Sequence, residues 1–469
     1  MPEAVCKVHH ALRLGLTHDL SRWSARTVTR HALDSSLHSI KRGESDITAS
    51  FGIYNNSLHW LNPEAFPHPR NPHVYAIADD LLTLLAMHRV RDVEFVLNVD
   101  DYPKAQNMVP TAPPSDGSRG SNTIPAAIFS YTKRENRAGE SPDADILIPS
   151  GAFRMSLFEA KLVERTIAQW RHDFPWESKH ASAFFRGTPY CGIHRFHRCS
   201  RYVLPHLAQR TRSPLLDIGL VEYTADHDTE LHRPNAPPGT RPLEKVARVH
   251  ETAYGKHKFL LHMDGHSFSN RLQALLLSNS AVLKQESEYI EYYYRALAPW
   301  THYIPFYVDG AEDILTVLAN VSARDDAASA IARRGQAFAH ANLHVDARMC
   351  YWRRLLDGWA DRLAYAPRLA DRPAARRYKG RDATCGECRR PPNPTLIGPW
   401  AKGHPCAFLR AGRVHHPSAA QTVSACRGGP PPSTSVGRRP ASPAGTSVAA
   451  RARSTTSRAR TSSKNAASD

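Results

Sequence analysis

The chain has 469 residues, which is enough for two or three domains. Its 41% hydrophobic content, without an apolar run near 18 residues, excludes fully disordered, collagenous and membrane-spanning classes. The net charge of +17 suggests a nucleic-acid partner, but residues 371–469 hold 18 of the 61 Lys and Arg and only 4 of the 44 Asp and Glu. The remaining 370 residues carry a surplus of +3, so we expect a nearly neutral globular part, a basic appendage and no nucleic-acid partner.

From about residue 75 the sequence alternates helical and strand-like segments. In the first series, helical patterns at 75–90 and 158–171 enclose apolar segments that predict strands at 93–99, 124–131 and 145–149. The second series predicts strands at 183–186, 214–220, 257–263, 281–284 and 302–308, with helices near 195–209, 242–252, 267–277, 311–320 and 325–341. Such alternation indicates parallel sheets covered by helices, and two series indicate two doubly wound α/β domains joined near 165–182.

An apolar helix stripe marks the end of the globular part. Its members step by four and three along the chain: Val345, Met349, Trp352, Leu356, Trp359 and Leu363. Beyond Asp371 this periodicity disappears and 12 of the chain's 35 prolines appear. We therefore predict a disordered, low-complexity basic tail over residues 371–469.

The first candidate site follows the predicted strand at 93–99. Asp100 and Asp101 stand just past its carboxyl end, before Tyr102 and Pro103. Ligands of open α/β sheets bind at that edge, and adjacent carboxylates disfavour each other's ionisation, which suits one of them to proton abstraction. The alternative is a solvated Asp-Asp turn ended by Pro103.

The second candidate is Ala183-Phe-Phe-Arg-Gly-Thr188, a predicted strand that runs into a glycine turn. A basic segment at 194–198 follows it. An arginine at position 186, with backbone amides at the start of the next helix, would hold a pyrophosphate. The alternative is that Arg186 forms a structural ion pair.

The third candidate spans residues 257–271 and predicts a strand, a glycine turn and a helix start. Ser267 or Ser269 is expected to cap the helix, which places Arg271 in its first turn. A basic residue is less favoured there unless an anion receives it. A bound phosphate would resolve this conflict.

Three further groups of side chains are weaker candidates, in each case for a metal site. They are His262, Asp264 and His266; Asp143 and Asp145; and Cys385, Cys388, His404 and Cys406. The first is disfavoured because Gly265 ends the strand before His266 can align with it. The second precedes a strand and indicates a helix-to-strand loop. The third is a single C-x2-C motif in a proline-rich tail. We therefore expect no metal site.

Taken together, these motifs resemble glycosyltransferase family 90, which includes Rumi-type protein O-glucosyltransferases and capsule-associated xylosyltransferases. The resemblance runs from about Cys6 to Leu363. Its motifs, in family order, are Asn98-Val-Asp-Asp-Tyr-Pro103, Phe184-Phe-Arg-Gly-Thr188, Lys258 through Arg271 to Ser280-Ala-Val-Leu-Lys284, Pro299-Trp-Thr-His-Tyr-Ile-Pro305 and Cys350-Tyr-Trp352.

The resemblance implies a GT-B fold, in which two Rossmann-like domains face a cleft. Residues 1–170 would form the acceptor domain, 171–344 the UDP-sugar donor domain and 345–370 a closing helix. It also implies inverting transfer of glucose or xylose from a UDP-sugar to a hydroxyl of a protein serine or a glycan. No metal or other cofactor is expected, and the choice between the two sugars stays open.

The resemblance also assigns site residues. Asp101 would be the general base. The donor-binding residues would be Arg186, Gly187, Thr188, Arg195, His266, Ser267, Phe268, Ser269, Asn270 and Arg271. The acceptor-binding residues would be Pro149, Ser150 and Phe153, and a disulfide would join Cys6 to Cys350.

The sequence leaves two locations and two alternative functions open. The resemblance implies the endoplasmic reticulum or Golgi lumen, whereas the sequence as written starts without a signal peptide, so a cytoplasmic enzyme is the alternative. A transferase fold that has lost catalysis and acts as a scaffold is a second functional interpretation. A nucleic-acid-associated protein with a basic arm at 438–460 is a third, and it is disfavoured because the late arginines lack interleaved aromatic residues.

Overall fold

The computed structural model describes residues 6–41, 48–61, 72–105, 128–150, 160–190, 199–222 and 243–380. Within these ranges the helices are α1 (His10–Leu20), α2 (Arg30–Lys41), α3 (Pro72–Met87), α4 (Ala160–Asp173), α5 (Ser200–Thr211), α6 (Leu272–Leu277), α7 (Asp313–Ser322), α8 (Asp325–Asn342) and α9 (Val345–Ala360). None of these helices is long and apolar enough to cross a membrane.

The strands in the described ranges are β1 (Thr48–Tyr54), β2 (Ser57–Trp60), β3 (Val93–Asn98), β4 (Ile128–Ser130), β5 (Lys133–Arg134), β6 (Ile146–Leu147), β7 (His180–Gly187), β8 (Leu216–Leu220), β9 (His257–His262), β10 (Ala281–Gln285), β11 (Tyr289–Ile290), β12 (Ile304–Phe306) and β13 (Arg376–Arg377). Most predicted elements after residue 75 are present, with ends displaced by a few residues. The mixed α/β class with parallel sheets is confirmed.

The first sheet belongs to the N-terminal half and has the strand order β13-β2-β1-β3-β4-β6. Strands β3, β4 and β6 are parallel, but β1 runs antiparallel to both β2 and β3. The three strands predicted in this half are therefore parallel as expected, and strands that were not predicted add the antiparallel pairings. The cause is the β1–β2 hairpin, whose two turn residues, Asn55 and Asn56, both have positive φ as a tight hairpin requires.

The second sheet belongs to the C-terminal half and has the order β12-β10-β9-β7-β8, with every pairing parallel. Its strands are apolar on both faces because helices and the first half cover them. Phe184, Leu260 and Val282 pack into a cluster shared with the N-terminal half, while Phe185 and Phe259 pack on the opposite side of the sheet. The predicted parallel sheet is confirmed here.

Two helices of this half differ from the prediction. Residues 243–250 are not helical, and Glu251–Lys256 is a short 3-10 helix. The helix predicted at 267–277 begins at Leu272, with Arg271 at its N-cap position and no side-chain cap. The expected caps at Ser267 and Ser269 were wrong, because the Ser269 carbonyl hydrogen-bonds the buried His262 ring at 2.9 Å and holds this segment as a loop.

The predicted apolar helix stripe is confirmed along α9. Met349, Trp352, Leu356 and Trp359 are completely buried. The helix ends at Ala360, so the last stripe residue, Leu363, is buried beyond the helix. The indole of Trp359 donates to the carbonyl of Glu94 in β3 at 3.0 Å, so α9 packs on the N-terminal half.

A disulfide joins Cys6 to Cys350 in α9, with their Cα atoms 5.2 Å apart. It ties the start of the described chain to the closing helix, and it is the pair that the resemblance implies. His88 lies close to both sulfurs, but sulfurs that share a disulfide are not the thiolates that bind metals. Cys199 is also disulfide-bonded, which the spacing of the cysteines alone did not predict.

The predicted tail boundary at 371 lies too early. Strand β13 pairs with β2, and Arg372 donates to Asp34 at 2.8 Å and to the buried carboxylate of Glu94 at 2.5 Å. This buried acid requires a cation, and among the described residues Arg372 supplies it. Residues 381–469, with the cysteines of the C-x2-C motif, lie outside the described residues.

A buried ion network joins the two halves. Lys133 Nζ lies 2.5 Å from Asp19 Oδ1, and both side chains are 0% exposed. Arg295 of the C-terminal half donates to the same oxygen at 2.9 Å and also pairs with Glu135. Burial alone would raise the pKa of Asp19, but the two cations lower it. Strand β11 pairs with β5 beside this network, so the halves are held together by backbone and charge.

Candidate functional site

The loop after β3 presents Asp101. Asn98 at the strand end accepts from the Asp100 amide and donates to the Tyr102 carbonyl, both at 2.9 Å. Asp100 accepts from the Asp101 amide at 2.7 Å and pairs with Lys104 at 2.5 Å. The Asp101 carboxylate is exposed and has no hydrogen-bond partner among the described residues. Of the two adjacent acids, Asp100 therefore fixes the loop, and Asp101 is free to accept a proton.

A buried carboxylate anchors the other end of this loop. Asp145 accepts from the amides of Lys104 at 3.0 Å and Ala105 at 2.8 Å, and from the Ser130 hydroxyl at 2.5 Å. Burial raises the pKa of Asp145 to about 6, although these hydrogen bonds favour its charged form. Asp143 pairs with Arg134 instead. Both acids are used in structural contacts.

Two side chains near Asp101, His73 and Tyr131, were not predicted as site residues from the sequence. Burial lowers the pKa of His73 while the Asp101 charge raises it, and burial and the charges of Asp80 and Asp101 raise the pKa of Tyr131. The Tyr131 hydroxyl is buried without a hydrogen-bond partner in the described part of the chain. Tyr131 follows β4, which pairs in parallel with β3. The pairing of these two strands could have indicated that Tyr131 lies near Asp101.

Arg271 lies at the carboxyl edge of the second sheet. Its Nη1 donates to the Arg186 carbonyl at 2.9 Å, and its guanidinium stacks over the Phe185 ring at 5.4 Å. Position 187 must be small here, because a Cβ on Gly187 would lie 3.2 Å from Arg271 Nη1 and 2.5 Å from the Phe185 ring. The motif around Gly187 therefore shapes the wall on which Arg271 rests.

Arg186 itself is engaged elsewhere. Its guanidinium pairs with Asp217 at 2.5 Å, donates to the Asp217 and Phe185 carbonyls, and stacks on Phe184 at 4.5 Å. These partners engage Nη1 and Nη2 on the strand face opposite Phe185. Arg186 thus forms the ion pair that was the alternative to a phosphate ligand, and its carbonyl accepts from Arg271.

A second arginine, Arg201, lies near Arg271 and was not predicted. Arg201 is 5% exposed and donates twice to the Met263 carbonyl, at 2.9 and 3.2 Å. Burial, then the positive charge of Arg271, lowers the pKa of Arg201 to about 9. The buried Ser267 hydroxyl of the intervening loop has no hydrogen-bond partner among the described residues. Two neighbouring cations and an unused hydroxyl form a site suited to a multiply charged anion.

The other expected donor residues occupy the same loop with varied contacts. His266 stacks with Tyr190, their ring centroids 5.4 Å apart, and Phe268 packs against the main apolar cluster. Thr188 and Asn270 are half-buried. Within the described ranges, His262, Asp264 and His266 do not converge on a possible metal position. Arg195 and the acceptor residue Phe153 lie outside the described residues.

The expected acceptor residues Pro149 and Ser150 are buried after β6. The Ser150 hydroxyl donates to Glu291 Oε2 at 3.5 Å. Two residues before Glu291, Tyr289 lies near Tyr102, with ring centroids 6.4 Å apart. One segment of the C-terminal half thus contacts both the Asp101 loop and the expected acceptor side.

Comparisons with known proteins agree with the motifs. The sequence matches the family model "Glycosyl transferase family 90" over residues 4–386. Protein O-glucosyltransferase 1 of Mus musculus is 32% identical over 284 residues, 60% of this chain and 66% of the mouse protein. The match therefore spans just under two thirds of that relative's length. O-glucosyltransferase rumi of Drosophila pseudoobscura pseudoobscura is 28% identical over 372 residues, 77% of this chain and 79% of the relative.

Among solved structures, Anabaena HepE in complex with UDP-glucose is similar at a low level. It is 12% identical, with a TM-score of 0.30, over 47% of this chain and 61% of HepE. A likeness of this size supports no argument about the site.

Proposed function

Because the chain belongs to glycosyl transferase family 90, we propose that it is an inverting glycosyltransferase that moves glucose or xylose from a UDP-sugar to a hydroxyl of a protein serine or a glycan. The observation that carries the proposal is the pair of neighbouring arginines, Arg201 and Arg271, on either side of a loop with an unused serine hydroxyl. Two guanidinium groups supply the positive charge and the N–H donors that a diphosphate binds.

In the proposed reaction Asp101 accepts the proton of the acceptor hydroxyl while that oxygen attacks the anomeric carbon of the sugar. The bond from this carbon to the diphosphate breaks on the opposite face, so the configuration inverts and UDP leaves with the bonding electron pair. Arg201 and Arg271 stabilise the charge that develops on the departing phosphate. Since both cations come from the chain, we propose no metal ion and no other cofactor.

The proposed arrangement is of the GT-B type, with the donor on the second sheet and the acceptor on the first. Asp101 follows β3 of the first sheet, and Arg271 follows β9 of the second, both near the carboxyl ends of strands, where α/β sheets bind ligands. By analogy with the O-glucosyltransferases, we propose action on proteins in the secretory pathway.

Calorimetric titration with UDP tests the donor site. Arg271→Ala is expected to weaken UDP binding about 10- to 100-fold, because a hydrogen bond to a charged group contributes about 1.5–3 kcal/mol. Arg210→Ala is the matched control, since Arg210 is 61% exposed and pairs with Glu312 on the surface of the same half. Equal UDP affinity in wild type and Arg271→Ala would contradict the assignment, and so would a wild-type protein that binds no UDP.

A further inference from the structure

One segment of the C-terminal half, residues 286–297, reaches across to the N-terminal half. We call it the bridging segment. Within it, β11 pairs antiparallel with β5, and the Thr132 hydroxyl donates to the Ile290 carbonyl at 3.1 Å. Tyr289 contacts Tyr102, next to Asp101. The bridging segment therefore has a fixed place on the N-terminal half, beside the Asp101 loop.

At the centre of the bridging segment, Glu291 is 0% exposed. Its carboxyl group accepts from the Ser150 hydroxyl at 3.5 Å and from the Tyr293 hydroxyl at 3.2 Å. Gln273 and Tyr294 also hydrogen-bond it. Ser150 follows β6 of the first sheet, whereas Gln273 lies in α6, two residues after Arg271. One buried carboxyl group thus contacts the acceptor side and the donor side together.

Glu291 forms no ion pair in the described part of the chain. Lys284 interacts with it electrostatically, but the Lys284 Nζ lies over the Tyr294 ring at 4.7 Å and donates to the Gln285 carbonyl. The remaining titratable neighbours are tyrosines: Tyr292, Tyr293 and Tyr294. Burial raises the pKa of Glu291 to about 8, although its hydrogen bonds favour the charged form. The raised pKa favours the protonated acid at neutral pH, and a protonated carboxyl group can both donate and accept hydrogen bonds.

We propose that Glu291 is a positioning residue that holds the Ser150 segment and the Arg271–Gln273 segment in register. The carboxyl group touches no reacting atom and acts through its neighbours. This role rests on the proposed function, since it is the transfer reaction that requires donor and acceptor to be aligned. Alignment matters because a displacement of about 1 Å can cost about 100-fold in rate.

Hydrogen exchange tests the positioning without any activity. In the full chain at pH 7, Glu291→Ala is expected to raise amide exchange about tenfold in both 146–150 and 272–277. Glu291→Gln keeps a donor and an acceptor and is expected to exchange like wild type. Glu286→Gln, in the same segment, is the control. If Glu291→Ala leaves either region unchanged, or if Glu291→Gln loosens both, the positioning role is wrong whether or not the protein is a transferase.

The pH profile of UDP-glucose turnover gives the second test. Wild-type turnover is expected to fall at least fivefold between pH 7 and pH 9, because an ionised Glu291 is a fully buried charge without an ion pair among the described residues. Glu291→Gln cannot ionise, so it should match wild type at pH 7 and keep its rate at pH 9. An identical alkaline loss in both proteins would overturn the proposal. Wild type without turnover or UDP binding at any pH would instead reject the transferase function, and the exchange data would still decide the positioning.

Discussion

Asp101→Asn is expected to slow UDP-glucose turnover about 10²- to 10⁴-fold, which is the usual contribution of a positioned general base. The amide has nearly the shape of the carboxylate but cannot take a proton at neutral pH. The loop should survive the change, because its hydrogen bonds come from Asn98, Asp100 and Asp145 and none comes from the Asp101 side chain within the described residues. UDP affinity, measured by calorimetry, should stay within about twofold of wild type.

The neighbouring acid provides the control. Asp100→Asn keeps an oxygen for the Asp101 amide but loses the ion pair with Lys104. We expect it to lower turnover less than tenfold, because it removes only a partly exposed pair. If Asp100→Asn is the more damaging change, or if transfer survives Asp101→Asn, the assignment of the base is wrong.

The largest effect on stability is expected from Asp19→Asn. The change leaves the Lys133 ammonium fully buried without its carboxylate, and it removes one of the anions that Arg295 contacts. Removing one partner of a buried pair typically costs about 3–5 kcal/mol. The free energy of unfolding, from denaturant titration at pH 7, should fall by about that amount.

A surface pair shows what an ordinary ion pair is worth in this fold. Asp361 and Arg91 lie 2.5 Å apart, and both are more than half exposed. Asp361→Asn is expected to cost less than about 1 kcal/mol, because exposed pairs are solvated and screened. Similar losses in the two variants would mean that the Asp19 network contributes no special stability to the contact between the halves.

The second sheet was predictable because its strands are apolar segments, most of which alternate with helix patterns. The part of the N-terminal half before residue 75 was not predicted, although signals were present. Leu12, Leu16 and Leu20 recur at helical spacing and are buried in α1. The β1–β2 hairpin carries Asn55-Asn56 at its turn, and asparagine tolerates positive φ. Strands paired across such a turn run antiparallel, so the antiparallel part of the first sheet was missed together with the hairpin.

Candidate site residues could be proposed from the sequence where a motif lies on one continuous segment, as for Asp101 and Arg271. They could not be where tertiary packing brings distant residues together. Arg201 reaches the loop before Arg271 from α5, and Glu291 reaches Ser150 from 141 residues further along the chain. For Arg186 the motif left a ligand and an ion pair open, and the neighbouring strand β8 supplies Asp217 as its partner.

The most direct test of the account is turnover of UDP-sugars by the full chain, with and without a chelator. We expect release of UDP from UDP-glucose or UDP-xylose, unchanged by the chelator and abolished in Asp101→Asn. The central claim is that the chain transfers sugar from a UDP-sugar. If folded protein with its Cys6–Cys350 disulfide turns over no UDP-sugar, that claim is contradicted.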